Sequence, residues 1–364
     1  MKTQTIFLIF RHFWKQVFAA KAVYALMFVF ALLLTYAAYT GYDTLRIQNK
    51  SRVEHQHEAR ESWEANPDKH PHRMAHFGSF AFRTRHPLSV FDFGTESFTG
   101  NAVFLEAHKQ NSINFSEASF STGLLRFGEV SMAMLLQLLL PLIIIFLGFG
   151  AVATDRENGT LKMVLSGGSS WKEIIVGKAL GLLAVASLFF FAVMSTTAFL
   201  LLRMQHEGAS VWPRFAGIAV SYFLLLAIVS FLTVLVSAAS ATAKSALIKL
   251  LGLWLVFAVL LPRITQAIGT ALHPAPSKIE FEAAVEQDLI KEGDSHNPDD
   301  PHYKAIKDSL LLAYKVDSVQ QLPFNYSGFV MQEGERISAS IYNRHLKNLY
   351  KIYQQQNSFS SNTA

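Results

Sequence analysis

The segment DRENGTLKMVLSGGSSWKEIIVGK, residues 155–178, is a charged, glycine-containing stretch that lies between two long apolar runs. No Asp, Glu, Lys or Arg occurs between Glu129 and Asp155 or between Lys178 and Arg203. Each run reaches the roughly 20 apolar residues that a helix needs to cross a bilayer. The sequence therefore predicts two membrane spans joined by a polar hairpin.

Composition extends this pattern to the whole chain. Hydrophobic residues make up 51% of the sequence and charged residues 16%, and the apolar residues fall in long blocks, which is typical of membrane proteins. Three further apolar blocks are long enough to be membrane spans, and the last of these blocks is interrupted by Lys249, Pro262 and Arg263. We therefore expect an all-α integral membrane protein with about five transmembrane helices. The predicted spans are residues 22–42, 131–154, 179–202, 215–240 and 247–266.

Basic residues in the short connections predict the orientation, because Lys and Arg are retained on the cytoplasmic side. Residues 1–21 and 155–178 each have four Lys and Arg, whereas the short loop 203–214 has only Arg203 and Arg214. The predicted cytoplasmic segments are therefore residues 1–21, 155–178 and 241–246. The predicted outer segments are residues 43–130, 203–214 and 267–364. We expect the two long outer segments to be insertions that pack together as one mostly helical extracytoplasmic domain.

The N-terminal segment, residues 1–21, has an apolar stripe at helical spacing, formed by Ile9, Phe10, Phe13, Trp14, Val17 and Phe18. This pattern predicts an amphipathic helix that lies in the cytoplasmic interface of the membrane. An extension of the first span by the same residues fits the pattern equally well.

The hairpin is predicted to contain two helices. Thr154 or Asp155 is a candidate cap for the first, and the Ser166-Gly167-Gly168 sequence is a stop signal because glycine tolerates a left-handed turn. Ser170 and Glu173 form a capping-box pattern that predicts the start of the second helix. A short cytoplasmic helix of this kind is either a surface for a partner protein or a connector whose positive charges set the topology.

Residues 140–180 resemble the signature of ABC-2-type transporter permeases, in which an apolar span is followed by an acidic-Arg-Glu-x-Gly-Thr-Leu run, a Leu-Ser turn and a Gly-Lys pair. In that family the segment is the coupling element that docks against a separate ATP-binding subunit. Family members often have Pro and Arg in the turn, where this chain has SGGSSW. The matching positions are Asp155, Arg156, Glu157, Gly159, Thr160, Leu161, Leu165, Ser166, Gly177 and Lys178.

Motifs in the outer segments, such as HPHRMAHFGSFAF and LPFNYSGFVMQEGE, resemble a subfamily of these permeases that has a large extracytoplasmic domain of unknown function. The resemblance implies an exporter subunit in the bacterial plasma membrane, paired with a second permease chain as a homodimer or with a sister permease. ATP would bind in the partner subunit. That subfamily usually has a further span after the second outer segment, so we expect either a truncated chain or remaining spans from elsewhere.

The sequence lacks the common catalytic signatures. VGKALG lacks the spaced first glycine and the Ser or Thr of a Walker A motif, and neither HExxH nor GxSxG occurs. The chain is therefore predicted to be no enzyme and to need no cofactor of its own. The formal net charge of +5 is explained by the cytoplasmic connections, and no basic tract predicts nucleic-acid binding.

Histidines in the first outer segment are the remaining candidate site. His70, His72 and His76 lie close together, and Pro71 disfavours a helix at His70. In an extended chain His70 and His72 would share a face and could bind zinc or copper, with His76 looping back. Hydrogen-bonded structural histidines are the alternative. A metal site would fit a second function, in which the spans merely anchor a histidine-rich binding or scaffold module outside the cell.

Overall fold

The structure is a computed structural model that describes residues 2–69, 71–94, 102–107, 130–204, 210–293, 297 and 299–363. The first helices and the strands are α1 (Thr3–Ala19), α2 (Lys21–Glu64), α3 (Pro71–Phe77), β1 (Ser79–Phe82) and β2 (Ala102–Leu105). After a turn at Met132–Met134 and a π-helical segment at Leu135–Leu139 come α4 (Leu140–Gly148), α5 (Ala153–Glu157), α6 (Thr160–Ser166), α7 (Trp171–Arg203) and α8 (Val211–Ala239). The remaining helices are α9 (Ala243–Trp254), continued by a π-helical segment at Leu255–Leu260, α10 (Leu261–Leu272), α11 (Lys278–Glu292), α12 (Pro301–Tyr314) and α13 (Tyr326–Thr363). Short 3₁₀ helices lie at Pro87–Val90 and Val319–Gln321.

Five helices in the described residues are long and apolar enough to cross a membrane. They are Lys21–Glu64, Met132–Glu157, Trp171–Arg203, Val211–Ala239 and Ala243–Leu272. The predicted all-α membrane fold with five spans is confirmed. The helices extend beyond the predicted spans, because backbone hydrogen bonding continues where the apolar sequence ends. The first span in particular is part of a single helix of 44 residues.

The described chain divides into two compact units. The first contains α1, most of α2 and the helices from Met132 to Leu260. Its core is built from apolar side chains of α4, α7 and α8, of which Ile144, Leu182 and Leu226 are almost fully buried. Gly148 allows close packing there, since a Cβ atom would lie 2.5 Å from a methyl group of Leu182.

The N-terminal segment is a helix of its own. Ala20 has an extended backbone (φ −83°, ψ 119°) and separates α1 from α2. The inner face of α1 packs against α7, where added Cβ atoms at Gly177 and Gly181 would lie 2.9 Å from Ile9 and 2.8 Å from Phe13. Of the two alternatives for this segment, the separate helix is therefore the observed one.

The second unit contains α3 and the helices from Leu261 onward, in which α13 packs against α10 and α11. Helical structure in the second outer segment was predicted, and Tyr303, Val330 and Ile341 are among its buried residues. β1 and β2 form a two-stranded sheet. The alternating stretch NAVFLEA, residues 101–107, is the strand-like pattern in the outer segments and includes β2, whereas no such pattern marks β1.

Candidate functional site

The hairpin between the second and third spans consists of two short helices and the start of α7. Helix α5 ends at Glu157, and Gly159 has a left-handed backbone (φ +75°) that starts α6 in a new direction. The prediction of one continuous first helix is therefore wrong, because the glycine breaks it. The capping role predicted for Thr154 or Asp155 is also wrong, since the N-cap position of α5 is Val152 and makes no side-chain cap.

The second helix of the hairpin begins as predicted. The Ser170 hydroxyl accepts a hydrogen bond from the Glu173 N–H (3.3 Å), and the Glu173 carboxylate accepts one from the Ser170 N–H (3.0 Å). The predicted capping box is confirmed. The same carboxylate accepts a hydrogen bond from the Lys2 backbone N–H (2.6 Å), so the start of α7 is also tied to the start of α1.

Asp155 and Lys178 form an ion pair that ties the two sides of the hairpin together. The Lys178 ammonium group also donates to the carbonyl oxygen of Ala151, and the lysine is only 6% exposed. A buried ammonium group needs such partners because its desolvation is costly. These two signature residues thus have a structural role at the base of the hairpin.

Arg156 points from α5 to the connection between α8 and α9. Its guanidinium group donates to the carbonyl oxygens of Ala238 (2.6 Å) and Ser240, and its central carbon lies 5.9 Å from the ring centroid of Trp171. Nearby, the Ser237 hydroxyl accepts from the backbone N–H groups of Val152 and Ala153 and donates to the carbonyl of Phe149. The sequence signature contains Arg156, but it gives no sign of Ser237, which lies more than 80 residues away.

Four other signature residues also have structural roles in the hairpin. Gly177 faces α1 so closely that a Cβ atom would lie 3.0 Å from the carbonyl oxygen of Ile6. Leu161 is buried and Leu165 is half-buried against the core of the first unit. Gly159, as described above, supplies the turn between the two short helices.

The remaining signature residues, Glu157, Thr160 and Ser166, are exposed on the hairpin. Two apolar residues accompany them, since Met163 is 72% exposed and Val164 is 39% exposed. Met163 and Val164 are adjacent apolar side chains that stay exposed, whereas Leu161 and Leu165 of the same helix pack inward, and exposed apolar groups of this kind are typical of a contact surface. The signature does not include Met163 and Val164, although these two consecutive apolar residues are visible in the sequence of the hairpin. We call Glu157, Thr160, Met163, Val164 and Ser166 the outer face of the hairpin.

The candidate metal site is only partly covered by the structure. His70 and the side chain of His72 lie outside the described residues, and among those described no cluster of potential ligands is found. The extended conformation expected at His72 is wrong, because α3 begins at Pro71, a position at which a helix tolerates proline. His72 and His76 both belong to α3. Binding of zinc or copper stays a prediction.

These observations define a multi-pass helical membrane protein with a structured hairpin between its second and third spans. A family model described as "ABC-2 family transporter protein" matches residues 8–354. The chain belongs to this family of transporter membrane proteins. Comparison with individually curated proteins gives no match. Membership favours the transporter subunit over the membrane-anchored binding module, and the family works in general with an ABC ATP-binding partner.

Proposed function

We propose that this chain is the permease subunit of an ABC-2-type exporter and that its hairpin, residues 155–178, docks on a separate ATP-binding subunit. The N-terminus and the hairpin face the cytosol of a bacterial cell, and the two long insertions lie outside the plasma membrane. A second permease chain, either a copy or a sister, completes the transport path. No cargo is assigned.

One observation carries this proposal: the hairpin has a fixed base and an exposed face. Asp155, Arg156 and Lys178 bind backbone or side-chain groups of the membrane helices. Met163 and Glu157 on the outer face lie in solvent within the described chain. A hairpin that transmits movement from a partner to the membrane helices needs both features. If its base were not bonded to those helices, the hairpin would move without displacing them.

The proposed mechanism uses the partner for the chemistry and this chain for the movement. ATP binding closes the partner subunits, and the outer face of the hairpin moves with them. The ion pair between Asp155 and Lys178 passes the movement to the ends of the second and third spans. This chain contributes no group to ATP hydrolysis.

Co-purification tests the docking. We expect the tagged chain to bring down a subunit with a Walker A motif, identified by mass spectrometry, and to retain vanadate-sensitive ATPase activity. Glu157→Lys and Met163→Glu should each weaken this association by about 2 kcal/mol, or roughly 30-fold in affinity, as expected for contact residues at the centre of an interface. Both side chains are exposed, so neither change should disturb folding.

The matched control is Glu286→Lys, the same change at an exposed position of α11. This variant should bring down as much of the ATP-binding subunit as the unchanged chain does. Equal recovery with all three variants would contradict docking at the outer face.

A further inference from the structure

We propose that Arg156 is a positioning residue that carries the movement of the hairpin into the fourth and fifth spans. This inference rests on the proposed function and extends it, because the hairpin belongs in sequence only to the second and third spans. Arg156 would make the connection between α8 and α9 move together with the docked hairpin. Four spans, rather than two, would then respond to the ATP-binding subunit.

The first support is the geometry of the arginine. Its guanidinium group donates to two carbonyl oxygens, those of Ala238 and Ser240, at the C-terminal end of α8. The last carbonyls of a helix have no partner within the helix, and a cation is favoured there by the helix dipole. Planar Arg can bind two acceptors at once in a fixed orientation, which makes the contact stiff as well as attractive.

The second support is that Arg156 joins three elements. It belongs to α5, it donates to the end of α8, and its guanidinium carbon lies 5.9 Å from the ring centroid of Trp171, the first residue of α7. A cation near an aromatic ring gains further attraction from the ring electrons. The contact therefore joins the start of the hairpin to α7, in which the hairpin ends, and to the connection between α8 and α9.

The third support is a parallel set of bonds beside the arginine. The Ser237 hydroxyl bridges the carbonyl of Phe149 (2.7 Å) and the N–H groups of Val152 (3.0 Å) and Ala153 (3.1 Å). Ser237 is fully buried in α8, so these bonds form away from water. They fix the backbone before α5 to the same end of α8 that Arg156 binds.

The connection itself is short, which allows it to pass a displacement onward. Only Ser240, Ala241 and Thr242 separate α8 from α9. Thr242 caps α9 through the Ser245 N–H (3.1 Å), and the Lys249 ammonium group donates to the Ser240 hydroxyl (3.3 Å). A displacement of Arg156 that moves the Ser240 carbonyl would therefore also move the start of α9, where the fifth span begins.

Paired cysteine reporters test this inference, and the chain is suited to them because it has no cysteine. One reporter is Lys162→Cys on α6 and the other is Ala241→Cys in the connection, both at exposed positions. Maleimide labelling is measured in membrane vesicles that contain the chain and its co-purifying ATP-binding subunit, with and without ATP and vanadate. With Arg156 present, the labelling rate should depend on nucleotide at both positions.

The test variant is Arg156→Gln. The nucleotide-dependent change should be lost at position 241 and kept at position 162, with the ATP-binding subunit still associated. Arg156→Lys, which keeps the charge without the planar fork, should restore part of the response at position 241. Lys172→Gln, an exposed cation at the start of α7, is the control and should leave both responses unchanged.

Other outcomes overturn the inference in distinguishable ways. An unchanged response at position 241 in Arg156→Gln would show that Arg156 only stabilises the fold. A loss at both positions would show that Arg156 is needed for docking or for the hairpin's own movement. No nucleotide response at either position in the chain that retains Arg156 would overturn the proposed function together with this inference.

Discussion

Lys178 is a buried charged residue at the base of the hairpin. Its ammonium group is almost completely removed from water and is neutralised by Asp155, whose side chain is 26% exposed, and by the carbonyl of Ala151. Buried ion pairs add little to stability compared with apolar residues, but the loss of one partner leaves the other uncompensated. The pair therefore fixes the geometry of the hairpin more than it strengthens the fold.

Replacement of this lysine should destabilise the protein. Lys178→Met removes the partner of Asp155, and because that carboxylate is still partly solvated we expect a loss of about 2–4 kcal/mol in the free energy of unfolding. The measurement is thermal unfolding of the purified protein in detergent. The double variant Asp155→Asn with Lys178→Met should recover most of the loss, since no uncompensated charge remains.

Lys162→Met is the matched control, because Lys162 is exposed on α6 and its change should alter stability by no more than about 0.5 kcal/mol. Equal melting temperatures for Lys178→Met and Lys162→Met would contradict a structural role of the ion pair.

Some of these residue roles can be predicted from the sequence and others cannot. The capping box of Ser170 and Glu173 is predictable because its partners are three residues apart. Gly159 signals a turn, but not that it splits the first helix into two. The carbonyl partners of Arg156 lie more than 80 residues away, and backbone acceptors have no sequence signature, so only the fold reveals them.

At the scale of helices, the contact between α11 and α13 in the second unit is organised around Asp288. Hydrogen bonds from Lys291 and then His345, with a further contribution from Arg344, lower the pKa of the Asp288 carboxyl from 3.8 to about 2. His345 and Arg344 are on α13, and their distances to the carboxylate oxygen are 2.9 and 3.0 Å. The carboxylate thus joins the two helices.

This contact should lose strength in acid. Because the pKa of Asp288 is depressed in the folded protein, its stabilising effect is present above the unfolded value near 4 and is lost as the pH falls toward 2. Asp288→Asn should lower the melting temperature at neutral pH, and the difference from the unchanged protein should shrink as the pH falls from 4 to about 2. Circular dichroism melts across this range measure it, and a difference that is constant with pH would contradict the role of the carboxylate.

Helix pairing shows another limit of sequence analysis. Apolar residues at helical spacing predict that the second outer segment is helical with an apolar core face, and Ile341 on that face is buried. The same spacing includes Tyr314 and Leu346, which are 49% and 38% exposed. A single amphipathic stripe shows which face is apolar, but how much of that face is covered depends on helices distant in sequence.

At the scale of the whole molecule, hydropathy predicts the number of spans because the bilayer sets a minimum length for each. It does not predict where the helices end. Helix α2, with 44 residues, is about 66 Å long, which is more than twice the thickness of the hydrocarbon core. The division of the described chain into two units also lies beyond hydropathy, because it depends on contacts between segments far apart in sequence.

The central claim is that the hairpin faces the cytosol, where an ATP-binding subunit reaches it. The most direct measurement uses Thr160→Cys, which introduces the sole cysteine of the chain at an exposed position of the outer face. A membrane-impermeant maleimide should leave this cysteine unlabelled in intact cells and label it in inside-out vesicles. Labelling from outside intact cells would contradict the topology and, with it, the coupling of this chain to a cytosolic ATPase.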